Sequence, residues 1–311
     1  AVFRADEAMD PVVRGLQKCA NAPGLPYGSN SYDHRYMGIV KGIRDHYGAI
    51  DQAIALEILK ATAMDDANLH AALTWLDDRG PATDFVALVA ALCCYWCAFS
   101  LVPESQPWLL RALGKRGVAP RQDRAHLMIG CAELFMLSGD DDQASEAFAE
   151  GLPILRDIGD AFDLANGLLV HGAYLNYQGN FTAAESSLNE ALVLAATIED
   201  TVLRAAITGA ALANLCDSAR GQGNLALAAT RGEAALRCHA GWNLDLSDIR
   251  VLMDLAGIAK DLGDYGLAVE RYLAGLERMG ARGDRRLVAD ALSGIATAAT
   301  SWGNHRLALL L

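Results

Sequence analysis

Residues 164–195, LANGLLVHGAYLNYQGNFTAAESSLNEALVLA, decide the fold. Apolar residues recur at helical spacing through Leu164–Leu175 and again through Leu188–Leu194, and between the two runs stands Gly179-Asn180. A glycine at that point takes the left-handed conformation that ends one helix, and the asparagine after it caps the next. The stretch therefore reads as a helical hairpin. The same punctuation returns at Gly139-Asp140, Gly223-Asn224, Gly263-Asp264 and Gly303-Asn304, so the glycines follow one another at intervals of 40, 44, 40 and 40 residues. Five residues after each glycine comes an alanine (Ala144, Ala184, Ala228, Ala268, Ala308), small where two helices must approach closely. Further on, Gly151-Leu152, Ala191-Leu192, Ala235-Leu236 and Gly275-Leu276 repeat in register. Several residue types at fixed offsets over five units mark a repeat architecture. One hairpin cannot bury its apolar stripe alone, so neighbours must stack. The single 44-residue interval predicts a longer inter-repeat loop or an added helical turn.

Composition agrees with a folded helical chain. Of 311 residues, 52% are hydrophobic and only 7% aromatic, which is enough apolar material to offset ordering entropy and excludes disorder. With 26 Lys+Arg against 38 Asp+Glu, the net charge of −12 argues against direct nucleic-acid binding, which needs clustered cations. Cysteines at 19, 93, 94, 97, 131, 216 and 238 form no paired spacing and read as reduced thiols, hence a cytoplasmic chain. Cys94-Tyr95-Trp96-Cys97 matches C-x-x-C, but without a preceding strand or a second ligand pair it reads as buried thiols. Phe85–Val102 carries no charge and just reaches membrane-span length. No Lys/Arg-rich flank orients it, and Ser100 stands 39 residues before Gly139, where the other repeats carry Gly. It is read as the first helix of a repeat, with no membrane span. No signal peptide is visible, and a start at Ala1 is expected to reflect trimming. The sequence stops at Leu311 inside the second helix of a hairpin, whose open apolar end is expected to need more chain.

These units resemble tetratricopeptide (TPR) repeats. Around Gly179, Leu168, Gly172, Phe181, Ala184, Leu188 and Ala191 fall at the family's signature positions. Around Gly263, Leu252, Ala256, Tyr265, Ala268, Tyr272 and Gly275 do so, and around Gly139, Met128, Ala132, Phe135, Ala144 and Phe148. The family's Pro is absent and the period is nearer 40 than 34. That longer period is similar to the helical arm of LuxR/MalT-type and AfsR-type bacterial regulators of the STAND ATPase class. The segment 65–76, DDANLHAALTWL, is similar to the E-x-D-N-L-R-A-A-L-x-W-L that opens such arms, and Glu104, Trp108-Leu109 and Ala112-Leu113 match a further segment. The resemblance implies an all-α, right-handed superhelical solenoid of about six stacked TPR-like hairpins over residues 65–311, the last one truncated. Residues 1–64 are a separate front segment: a Pro/Gly/Asn/Ser-rich loop at Asn21–Ser31, then two helices, Asp33–His46 and Asp51–Met64. Residues 31–73 are similar to the final helices of C45-type amide hydrolases, whose catalytic Cys would lie upstream.

Few motifs carry chemistry. There is no G-x-x-x-x-G-K-[ST], H-E-x-x-H, G-x-S-x-G or EF-hand loop, so no catalytic residue, metal or cofactor is expected. Asp140-Asp141-Asp142 reads as a helix start. His171 reads as a packed or hydrogen-bonded histidine, and Trp96, Trp108, Trp242 and Trp302 as core or inter-repeat packing. A solenoid works on the concave wall lined by the first helix of each repeat. Counting from the turn glycines, that wall carries His126, Glu133, Asn166, Asn176, Tyr177, Asp217, Arg220, Arg250, Lys260 and Asp290. Amides, an aromatic ring and both signs of charge suit a protein or peptide partner, or a polyhydroxylated small effector. Three functions follow: a non-catalytic partner-binding arm of a bacterial regulator; a fragment or fusion of an amide hydrolase; or a scaffold for self-association into a homo-oligomer.

Overall fold

The computed structural model describes residues 66–98, 101–239, 245–279 and 285–303. The expectations for residues 1–64, Ser100, Trp242 and Ala308 lie outside the described residues. Twelve α-helices are described: α1 (Asp66–Asp78), α2 (Ala82–Ala98), α3 (Val102–Lys115), α4 (Arg121–Ser138), α5 (Asp141–Ile158), α6 (Ala161–Tyr177), α7 (Phe181–Ala195), α8 (Thr201–Gly221), α9 (Leu225–His239), α10 (Asp245–Asp261), α11 (Tyr265–Met279) and α12 (Arg285–Ser301). The described residues contain no strand. By their contacts they fall into two compact units, 66–160 and 161–303.

The turns form as their residues dictate. Gly139, Gly179, Gly223, Gly263 and Gly303 all have φ between 73° and 84°, the left-handed region where a side chain would be strained. Each of the four described partners caps the next helix. Asp140 accepts from the Gln143 amide at 3.2 Å, Asn180 from Ala183 at 3.4 Å, Asn224 from Leu227 at 3.2 Å and Asp264 from Leu267 at 3.1 Å. Gly159, at φ 77°, closes α5 in the same way, although it is not a hairpin turn. The 44-residue interval is an added helical turn: α8 runs 21 residues, where α6 and α10 run 17.

Packing follows the repeat. Ala144, Ala184, Ala228 and Ala268 are wholly buried, so a larger side chain there would have to displace its neighbours. In the second unit each hairpin's second helix packs on the next hairpin's first helix (α7 on α8, α9 on α10, α11 on α12). First helices also touch in sequence: α6 with α8, α8 with α10, α10 with α12. Two of its cores are Ala213, Cys216, Val251, Leu255 and Ile258 between α8 and α10, and Ala256, Tyr272, Ala291, Ile295 and Ala298 around α10–α12. Phe181 illustrates the closeness required, since its ring lies where a Cβ on Gly221 would be.

In the first unit α2 packs on α1, α3 and α4. Phe85, Val86, Val89 and Trp96 of α2 are buried, as are Leu73, Leu109 and Leu127 of its neighbours. The apolar run is thus a central helix. It ends at Ala98 rather than Val102, because Val102 opens α3 and Pro103 sits in that helix's first turn. No helix among the described residues is long and apolar enough to cross a membrane. Asp77 ties α1 to α3 through Lys115 at 2.6 Å and Arg111 at 2.8 Å, and the Lys115 hydrogen bond holds its carboxyl below the usual carboxylate range.

Trp96 and Trp108 are buried as expected, but Trp302 is 57% exposed. It stands in the turn just past α12 and brings one ring edge to 3.7 Å from where a Cβ on Gly266 would be. Cys93, Cys97, Cys131 and Cys216 are buried thiols in no disulfide, and Cys238 is half-buried. His171 hydrogen-bonds Ser187 Oγ at 3.0 Å, joining α6 to α7.

Candidate functional site

The residues expected on the first-helix wall divide between the two units. In the first unit His126 and Glu133 both sit on α4, His126 half-buried and Glu133 buried. Glu133 is therefore not an open wall position. Its side chain lies close enough to the buried Cys93 of α2 to push that thiol further up, after the larger effects of Cys131 and burial.

The other eight lie on the first helices of the second unit. Asn166 is half-buried, and its side-chain oxygen is shielded from water without a hydrogen-bond partner. Asn176 is committed to packing. Its Nδ2 donates to the Asn214 carbonyl at 2.8 Å, and its Oδ1 accepts from Ser218 Oγ at 2.7 Å. Both α8 partners are buried, so this amide pins α6 to α8 and has little left for a ligand. Tyr177, the next residue, is 66% exposed. Lys260 pairs with its neighbour Asp261 at 3.7 Å, and Asp290 is exposed on α12.

Asp217, Arg220 and Arg250 come together, with Asp254 as a fourth member. Arg250 Nη1 donates to Asp217 Oδ2 at 3.1 Å, and Arg220 Nη1 lies 3.6 Å from Asp254 Oδ1. Burial pushes the Asp254 carboxyl up to about 7, helped by repulsion from Asp217 and opposed by Arg250 and Arg220. Tyr272, from α11, brings its hydroxyl to 3.8 Å from where a Cβ on Gly257 would stand, and Arg220 Nη2 lies 3.5 Å from the same point. Burial pushes the Tyr272 hydroxyl up as well.

Asp254 and Tyr272 are absent from the sequence-derived wall. Asp254 lies nine residues before its turn glycine, a position held by Gly130, Val170, Asn214 and Gly294 in the other hairpins. It nevertheless shares a helix face with Arg250, four residues earlier, and that spacing was the available signal. The described residues hold no group of three or more His, Cys, Asp or Glu that could bind a metal ion. A depression of about 470 Å³ in the first unit is lined by Gln106, Ser138, Gly139 and Asp140–Asp142, where Asp140 is already engaged as a helix cap.

No protein-family model and no curated protein matches the sequence. Solved structures match in fold. The chain is similar to a component of the APC/C hetero-tetramer Cut9-Hcn1, with a TM-score of 0.61 and 16% identity, over 99% of this chain and 52% of that one. It is similar to NprR in complex with its cognate peptide NprX, with a TM-score of 0.60 and 12% identity, over 98% of this chain and 85% of that one. It is also similar to the STAND protein with a tetratricopeptide repeat sensor, PH0952 from Pyrococcus horikoshii, with a TM-score of 0.55 and 12% identity, over 93% of this chain and 58% of that one. The chain thus spans about half the length of the first and under two thirds of the third. At these identities the likeness establishes fold: an all-α chain of TPR-like helical hairpins.

Proposed function

We propose that this chain is a non-catalytic, partner-binding repeat domain of a bacterial signalling or transcription regulator, taking a peptide or protein segment along the first helices of its second unit. The observation that carries the reading is the makeup of that wall. An exposed tyrosine, Tyr177, stands on the same set of helices as an accessible guanidinium, Arg220. Aromatic and guanidinium groups are what peptide-binding surfaces concentrate. Two similar folds support the choice of partner and setting: NprR was solved with a peptide bound, and PH0952 carries its repeats as a sensor in a signal-transduction ATPase. The sequence resemblance to LuxR/MalT- and AfsR-type arms points the same way. Binding would act by favouring one arrangement of neighbouring modules, to the extent that the partner prefers it.

The test is a peptide selected from a random display library on the whole chain. Replacing Arg220 and Arg250 together by Ala should weaken its binding at least tenfold. Unchanged affinity would remove this wall from the account.

A further inference from the structure

Two acids and two arginines converge where α8 meets α10, but they are not equally satisfied. The Asp217–Arg250 pair is a hydrogen bond at 3.1 Å. The Arg220–Asp254 pair, at 3.6 Å, is beyond hydrogen-bond distance. Arg220 is also the accessible member, with 42% of its side chain exposed. Its guanidinium passes over Gly257 beside the Tyr272 hydroxyl, so the missing side chain at 257 keeps it close to α10. A guanidinium offers a planar fork for two oxygens, and Asp254 uses that fork poorly.

Resting on the reading of this wall as the binding face, we infer that the cluster recognises one carboxylate of the bound partner, with Arg220 as the donor released from Asp254. The balance of charge supports an anionic guest. Half-buried beside Asp217, Asp254 has its carboxyl raised to about 7, so near neutrality the two guanidiniums are only partly offset. On a chain of net charge −12, an anion is held only where cations locally exceed acids. The groups whose charge reaches Asp254 are Asp217, Arg220 and Cys216 on α8, Arg250 on its own helix and Tyr272 on α11. The Cys216 thiol is pushed up to about 12 by burial, and the Tyr272 hydroxyl is raised from 10, so both stay neutral between pH 6 and 8. When the guest takes Arg220, Asp254 loses one of its two cations and picks up a proton. Capture of the carboxylate is therefore coupled to proton uptake and is stronger at pH 6 than at pH 8.

The experiment uses the full chain with 15N-labelled arginine and three probes. N-acetylglutamic acid α-amide carries a side-chain carboxylate, N-acetylglutamine a chain-end carboxylate, and N-acetylglutamine amide none. One or both carboxylates should shift the Arg220 Nε–H resonance saturably, and which of them does so identifies the source. The neutral probe should not. The dissociation constant should be about threefold lower at pH 6 than at pH 8, the scale of a solvent-facing ion pair, and Asp254→Asn should abolish that difference. The inference is overturned if the neutral probe shifts Arg220 equally, or if the carboxylates move it no more than Arg121, an exposed arginine paired with Asp157. If the carboxylates fail while a selected peptide still binds this wall, the inference falls alone. If they succeed while no peptide binds, it is the partner-binding reading that falls.

Discussion

Replacing Asp254 by Asn should make the protein's stability less sensitive to pH on the neutral side. A carboxyl raised from 3.8 to about 7 binds its proton more tightly in the folded state than in the unfolded chain. Its stabilising contribution is fully present below pH 3.8 and is lost as pH rises through 7. Between pH 5 and 8 the linkage relation gives a loss of at most about 3 kcal/mol. With 23% of the side chain exposed, water screens part of that, and we expect about 2 kcal/mol. Asn keeps the shape and removes the titration. Urea unfolding of both proteins, followed by circular dichroism at pH 5, 6.5 and 8, measures the difference directly. The wild-type curve should fall more steeply than that of the variant, and the gap should open between pH 5 and 8. Parallel curves would refute the assignment. So would a 13C resonance of the Asp254 carboxyl titrating near 4, since that would mean neither burial nor Asp217 governs the group.

Three other perturbations test the packing. Gly221→Ala puts a Cβ into the Phe181 ring and should cost about 1–3 kcal/mol in thermal unfolding, with part of the loss recovered when Phe181→Ala is added. Asn176→Ala removes both hydrogen bonds between α6 and α8 and should cost about 1–3 kcal/mol, while peptide affinity measured below the melting range stays unchanged. In the first unit, burial raises the Glu150 carboxyl, but hydrogen bonds from Arg124 and Arg116 outweigh it and hold the group below 4.5. Its contribution is present above 4.5 and lost as pH falls through the lowered value, so Arg124→Ala should flatten the acid side of the stability profile by less than about 1 kcal/mol.

The architecture was readable because it rests on backbone requirements that few residues meet. A left-handed turn selects glycine, the helix start after it selects Asp or Asn, and the crossing five residues on selects alanine, so Gly179, Asn180 and Ala184 announce a hairpin without any tertiary information. The wall was less readable, because helical register says which way a residue faces but not what meets it. Asn176 faces the expected side, yet Asn214 and Ser218, some forty residues later, consume both ends of its amide. Glu133 shares its register with Asp217 but is buried in the first unit, where α2 packs against α4. Asp254 was missed for the opposite reason: its position is apolar, glycine or amide in the other hairpins, and only the arrival of Arg220 and Asp217 from α8 makes it part of a charged cluster. Trp302 looked like packing by composition, whereas its exposure follows from its place at a turn.

The central claim is that the first helices of the second unit take a partner. Hydrogen–deuterium exchange on the whole chain, with and without a peptide selected from a random display library, tests it most directly. The account predicts slowed exchange in α6, α8 and α10, centred on Tyr177 and Arg220, with α7, α9 and α11 unchanged. Protection confined to those second helices, around the exposed Val193 and Leu273, would contradict it.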